Sequence, residues 1–226
     1  MQRFFLSARV RIYLVLGASS LVSVGLFLLD AWKNHSYEFS YLIWNLTLAW
    51  VSLLATLWLE GVLLRRLWSS WYAMFVTAVW LVFLPNTFYM ISDFIHIQTL
   101  GQTDVLYGVV MFTSFIINGV MLGFLSLFIV HQELLKRLRS RQAGGLIALV
   151  VLICSFAIYI GRELRWNTWD LITNPASVLI DVSDRVLNPR EHPQALTTTT
   201  SFFVLLMSLY AVFWYSTRLS RIKPRD

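Results

Sequence analysis

The spacing of charged side chains constrains this chain more than any other feature. Arg11 to Asp30 leaves 18 uncharged residues, Glu38 to Glu60 leaves 21 and Arg66 to Asp93 leaves 26. Asp104 to Glu133 leaves 28, Arg141 to Arg162 leaves 20 and Glu191 to Arg218 leaves 26. A helix crosses the hydrocarbon core of a bilayer with about 20 apolar residues, within a range of about 17–25. All six windows are long enough. The next longest, Asp170 to Asp181, leaves 10 and is too short. Transmembrane β-strands would alternate in polarity over about 10 residues, whereas these windows are apolar on every face. They predict helices over 10–31, 41–64, 71–95, 105–131, 145–163 and 198–217. The expected fold is an all-α bundle of six spans forming a single membrane domain over residues 1–226.

Composition closes off the alternatives. The chain is 58% hydrophobic and 13% charged, against about 25% charged residues in a soluble domain, so it cannot cover a water-facing surface. Disordered chains are poor in aromatics, and this one is 15% aromatic. A single cysteine, Cys154, excludes an intramolecular disulfide and a cysteine-rich metal site. The first window has the basic start of a signal peptide (Arg3, Arg9, Arg11), but its apolar core is too long and AWKNH follows where a cleavage site should lie. It reads as an uncleaved span.

Lysine and arginine set the expected orientation. Thirteen fall at the N-terminus, at 65–66, at 136–141 and in the C-terminal tail, and five fall on the other side. The basic side is cytoplasmic by the positive-inside rule, which puts both termini inside. The net charge of +6 then reflects topology, and no nucleic-acid motif accompanies it. Trp32, Trp44, Trp166 and Trp169 fall near the outer boundary, with Trp68, Trp71 and Trp214 near the inner one, the two levels indoles prefer. Gly119 and Gly123 form a GxxxG that lets a second helix approach closely, within the bundle in preference to a dimer seam. Between the last two spans, Asn174-Pro175 reads as a helix start and Asn188-Pro189 as its end. Val178, Leu179, Val182, Val186 and Leu187 recur at helical spacing between them, predicting an amphipathic outer helix over 175–187. The run TTTTS at 197–201 can cap the last span.

Polar groups inside a span cost about 2.5–3.5 kcal/mol at its centre when ionisable, so their grouping is informative. In PNTFYMISDFIH (85–96), Pro85 should kink the third span. Beyond it Asn86, Tyr89, Asp93 and His96 fall within an arc of about 80° on a regular helix. Such a stripe should face the bundle interior, either as a wet pocket or as a satisfied network with Asn118 as a partner. In GRELRWNTWD (161–170), Arg162, Arg165, Trp166 and Trp169 share a face if the helix continues, with Glu163, Asn167 and Asp170 on another. Two guanidiniums between two indoles can grip a phosphate or carboxylate. Equally, the arginines can neutralise Asp93, Asp104 or Asp170. Asp93 and His96 could also reach one metal ion, but HExxH is absent and no metal site is assigned. His131 and Glu133, beside a basic loop, are expected to be solvated. GxxxxGK[ST], GxSxG and a Ser/Lys dyad are missing. Only one span is visibly broken, which argues against a transporter with two related halves.

LPNTFYMISDFIHI (84–97) and GRELRWNTWD (161–170) resemble the two signature segments of a prokaryotic membrane-protein family known as domain of unknown function 1361. The resemblance covers about the second span to the last. Asn86, Tyr89, Asp93, His96, Arg162, Arg165, Trp166, Asn167, Trp169 and Asp170 match its signature positions. It implies a multi-pass inner-membrane protein and carries no catalytic residue and no cofactor.

The expectation is therefore an extracytoplasmic polar pocket walled by spans three, four and five, with 175–187 as its lid or rim. It would bind or process a lipid-linked or anionic substrate. Arg162 and Arg165 would hold the anion, and Asp93 with His96 would be an acid–base pair. Asn86, Tyr89, Trp166, Asn167, Trp169 and Asp170 would complete the binding site. The bilayer is the expected partner and nucleic acid is not. The alternative is a non-catalytic subunit that docks a partner protein on its outer face.

Overall fold

A computed structural model describes residues 2–99, 105–166 and 168–219. Helix α1 (Gln2–Asn34) is followed by a 3-10 turn, Glu38–Ser40, that leads into α2 (Tyr41–Leu63). Helix α3 (Trp71–Tyr89) continues as a 3-10 segment, Met90–Thr99, before α4 (Val105–Leu135) and α5 (Ser140–Glu163). The short α6 (Asp170–Thr173), α7 (Pro175–Leu187) and the long α8 (Pro193–Leu219) complete the chain. No strand occurs among the described residues. Six helices are long and apolar enough to cross a membrane: Arg9–Asn34, Glu38–Leu63, Trp71–Ile97, Val105–Leu135, Ser140–Glu163 and Pro193–Arg218. The chain is an all-α, multi-pass membrane protein.

Helix α4 is the hub, packed against α1, α2, α3 and α5. Its small residues explain the close approach of α3. A Cβ on Gly119 would lie 2.6 Å from Met90 Sδ and 2.8 Å from the Thr87 carbonyl oxygen, and one on Gly123 would lie 2.3 Å from Thr87 Oγ1. The GxxxG is therefore an intramolecular seam, because it is filled by α3. In hydrocarbon, apolar surfaces gain little by meeting one another, so packing and interhelical hydrogen bonds hold helices together. Thr56 on α2 and Ser126 on α4 are 2.6 Å apart, and Trp80 Nε1 on α3 donates to the same Ser126 hydroxyl at 2.7 Å. Asn118 was the candidate partner for the polar stripe of the third span if that stripe formed a satisfied network. It turns instead to α1, donating to Ser23 Oγ at 2.9 Å and the Ser19 carbonyl at 3.3 Å. The nearer serines satisfy the amide, so it has no donors left for α3.

Two further expectations are corrected. His131 and Glu133 are buried, at 8% and 4% exposure. Glu133 accepts from Lys136 and from Arg137 Nη1 in the turn that follows α4, which removes the need for water. His131 stacks on Trp214, with ring centroids 4.1 Å apart, and its Nδ1 is 3.1 Å from the Tyr210 hydroxyl on α8. The last span also starts earlier than 198. Pro193 opens α8, and Thr197 lies inside it with its hydroxyl donating to the Pro193 carbonyl at 2.8 Å. Proline is well suited to a first helical turn, so it takes the start and the threonine run is left within the helix.

Candidate functional site

The loops that follow α1, α3 and α5 lie at one end of the bundle, and so does α7. A cavity of about 400 Å³ opens at this end. Helix α3 packs against both α2 and α5, and all three line the space: Trp44, Asn45 and Leu48 from α2, Leu81 to Tyr89 from α3, and Ile153 to Gly161 from α5. Trp166, Thr168 and Trp169, with Val178 and Val182 of α7, complete the lining. The walls therefore differ from expectation. Span two replaces span four, because α4 is occupied by α3 through Gly119 and Gly123.

The local chain path explains how the segment at 164–169 reaches the cavity. Helix α5 stops at Glu163, where the Leu164 amide still donates to the Ile160 carbonyl at 3.2 Å. Arg165 then takes the left-handed conformation, with φ 58°. That conformation commonly terminates helices, usually on glycine, and it costs a side-chain-bearing residue about 1–2 kcal/mol. The expected shared face of Arg162, Arg165, Trp166 and Trp169 consequently does not form, since it required α5 to continue. Arg162 turns into the bundle. Arg165 is exposed, and it makes no ion pair among the described residues. Trp166 Nε1 donates to Asp181 Oδ2 at 2.7 Å, tying the segment to α7. Trp169 lies with its ring centroid 6.5 Å from that of Trp44, so two indoles flank the mouth. Asp170 begins α6. Asn167 lies outside the described residues.

The stripe on the third span divides in two. Asn86 and Tyr89 belong to the α-helical part and line the cavity. Asn86 Nδ2 donates to Thr168 Oγ1 at 3.1 Å and to the Phe83 carbonyl at 3.2 Å. The helix passes through Pro85, and the winding changes only at Met90. A 3-10 helix has three residues per turn, so positions three apart eclipse. Asp93 and His96 thus share one edge, and both meet α2. Asp93 Oδ2 accepts from Asn45 Nδ2 at 3.3 Å. His96 packs on Tyr41, one helical turn before Asn45, with ring centroids 5.5 Å apart. The Tyr41 hydroxyl is buried and has no hydrogen-bond partner among the described residues.

Asp93 is 1% exposed. Arg162 reaches it from α5, with Nη1 3.6 Å from Oδ1, and the same guanidinium donates to the Ser92 carbonyl and lies 5.7 Å from the centroid of the Tyr89 ring. Of the two roles open to Arg162, anion clamp or counter-charge to an acid, the contacts show the second. Asn45 and Tyr89 touch both the cavity and this ion pair, so the pair lies directly behind the cavity wall. Among the described residues no three His, Cys, Asp or Glu side chains converge as metal ligands would. Asn45 escaped the sequence reading. Its signal was an amide within an apolar window, the same signal that drew attention to Asn118.

Residues 44–212 match the family described as protein of unknown function DUF1361. The chain belongs to that family. The match begins at Trp44, at the mouth of the cavity, and takes in both segments that wall it. No curated protein and no solved structure matches the chain.

Proposed function

We propose that this DUF1361 protein resides in a bacterial inner membrane with both termini in the cytoplasm. There its cavity opens at the extracytoplasmic side and binds or processes a lipid-linked or anionic substrate. The observation that carries this reading is a largely apolar cavity whose polar groups, Asn45, Asn86 and Thr168, gather near two indoles. Ligand sites are commonly of this kind, with volumes of about 300–1,000 Å³ and a few placed polar groups. Trp44 and Trp169 sit where interfacial indoles prefer to lie, at the level of lipid headgroups. Arg165, with no counter-ion among the described residues, is the cation available to an anionic head. Asp93 and His96, expected as an acid–base pair, do not line the cavity, and Arg162 holds Asp93 in place, so the chemistry this site supports best is binding.

Native mass spectrometry of the purified protein tests the reading. A retained anionic lipid, lost in Arg165→Ala while the folded yield is unchanged, is the expected result. A stoichiometric protein partner with no lipid would favour the docking alternative. One observation supports that alternative: Leu179, Ile180, Val186 and Leu187 of α7 are 61–75% exposed.

A further inference from the structure

The cavity does not open only at the end of the bundle. Two of its lining residues, Val82 and Ile153, are 38% and 41% exposed. Val82 is eleven residues into α3 and Ile153 is ten residues before the end of α5. At 1.5 Å per residue they stand about 17 Å from the start of α3 and about 15 Å from the end of α5. Both are therefore near mid-depth of a hydrocarbon core about 30 Å thick. Whatever reaches them from outside the protein is lipid. From that depth the space runs up to Trp44 and Trp169, a length of about 15 Å, which is the thickness of one leaflet. Its floor is α3, and its lips are α2 and α5. Its apolar lining is continuous with the lipid-facing surface of those helices, while its polar groups lie at the upper end. Such a slot matches a single hydrocarbon chain that remains aligned with its leaflet and keeps its head at the indoles.

We infer that the hydrocarbon chain of a membrane lipid enters the cavity sideways from the bilayer, between α2 and α5. This rests on the reading of the cavity as the substrate site and adds the route and the orientation of the ligand. The head then lies beside Asn86, Thr168 and Trp169, and the chain runs past Ala157 toward Ile153. Ala157 lines the cavity and is half-buried, so a larger residue there obstructs the chain.

Cysteine accessibility in native membranes tests the route. Cys154 is fully buried, so the unmodified protein is the unlabelled control. Ala157→Cys is expected to react with membrane-partitioning pyrenyl maleimide and to resist a charged trimethylammonium methanethiosulfonate. Added dodecyl phosphate should abolish the labelling, and inorganic phosphate should leave it intact. Ile153→Cys, at the lip, should follow the same pattern and covers the case in which Ala157→Cys fails to fold. Labelling by the charged reagent, or by neither reagent, overturns the lateral route. Protection by dodecyl phosphate despite charged-reagent labelling would overturn the route and leave the site reading standing. Protection by dodecanol but not by dodecyl phosphate would support sideways entry of a chain and remove the anionic head. Protection by neither amphiphile overturns the proposal.

Discussion

Two buried carboxylates, one at each end of the bundle, show how the same group can serve different purposes. Glu133 and Asp93 are both nearly inaccessible, and both meet arginine. Glu133 finds its partners three and four residues along the chain, in Lys136 and Arg137 of the turn that follows α4, and the Lys136 side chain is 56% exposed. That short spacing alone keeps these groups within reach of one another. Asp93 finds its partners on two other helices, Asn45 on α2 and Arg162 on α5. Its ion pair therefore needs two spans to assemble, and its full set of partners needs three. The first is a local arrangement at a basic rim. The second is a tertiary clamp, and the cavity lies on its other side. A charge is expensive to bury unless paired, so a clamp of this kind holds its helices in one relative arrangement and fixes the shape of the space they enclose.

Removing one partner of each pair sharpens the comparison. Arg162→Ala leaves Asp93 buried and uncompensated and should cost about 3–5 kcal/mol, measured as the unfolding midpoint in mild detergent. The double variant Arg162→Met, Asp93→Asn should recover most of that loss, because removing both charges spares the desolvation penalty. If Arg162→Ala is neutral, Asp93 is not held by the clamp and the distinction fails. At the opposite end, the buried histidine should matter more than the carboxylate. His131→Ala loses its stack on Trp214 and leaves a cavity, for about 2 kcal/mol. Tyr210→Phe removes the hydroxyl beside His131 Nδ1 and should cost about 1 kcal/mol by the same measurement. Glu133→Gln keeps an acceptor and loses a pair whose lysine is solvent-screened, so less than about 1 kcal/mol is expected. A loss as large as that of Arg162→Ala would erase the difference between the two ends.

The smallest effect lies beside the cavity. Asp184 accepts from Asn188 and contacts His192 Nε2 at 2.8 Å, joining the end of α7 to the start of α8. The Asn188 hydrogen bond, then the His192 contact, hold its carboxyl below the usual carboxylate range. A depressed folded value means the contact stabilises the junction above the ordinary carboxylate pKa and is lost as pH falls through the folded value. Amide exchange in α7 should therefore accelerate in acid, and Asp184→Asn should show the faster rate already at neutral pH, with the bundle midpoint unchanged.

The residues that were legible and those that were not differ in a consistent way. Six helices followed from gaps between charges, and α7 followed from Asn174-Pro175 and Asn188, because membrane length and chain punctuation are local properties. Gly119 and Gly123 were recognisable as a seam, though only the structure names α3 as its occupant. The arcs drawn on regular helices failed at two places. The 3-10 winding from Met90 separates Asp93 and His96 from Asn86 and Tyr89, and the left-handed Arg165 breaks the face it should have shared with Arg162. His131 looked solvated because the partner surface of α8 does not appear in a window of sequence, and Glu133 because its burial comes from neighbouring helices, although its partners Lys136 and Arg137 are close in the chain.

By itself the sequence determined that the chain is helical and carries six segments able to span a membrane, because hydrocarbon admits only long, uncharged, internally hydrogen-bonded segments. It also marked which polar residues would be costly and so had to be satisfied somewhere. Only the tertiary structure decided where. Helix–helix packing in a bilayer depends on the fit of small residues and a few hydrogen bonds, and these are specified by which faces meet. That choice put Asn45 between Asp93 and the cavity, gave Arg162 to Asp93 and left Arg165 exposed.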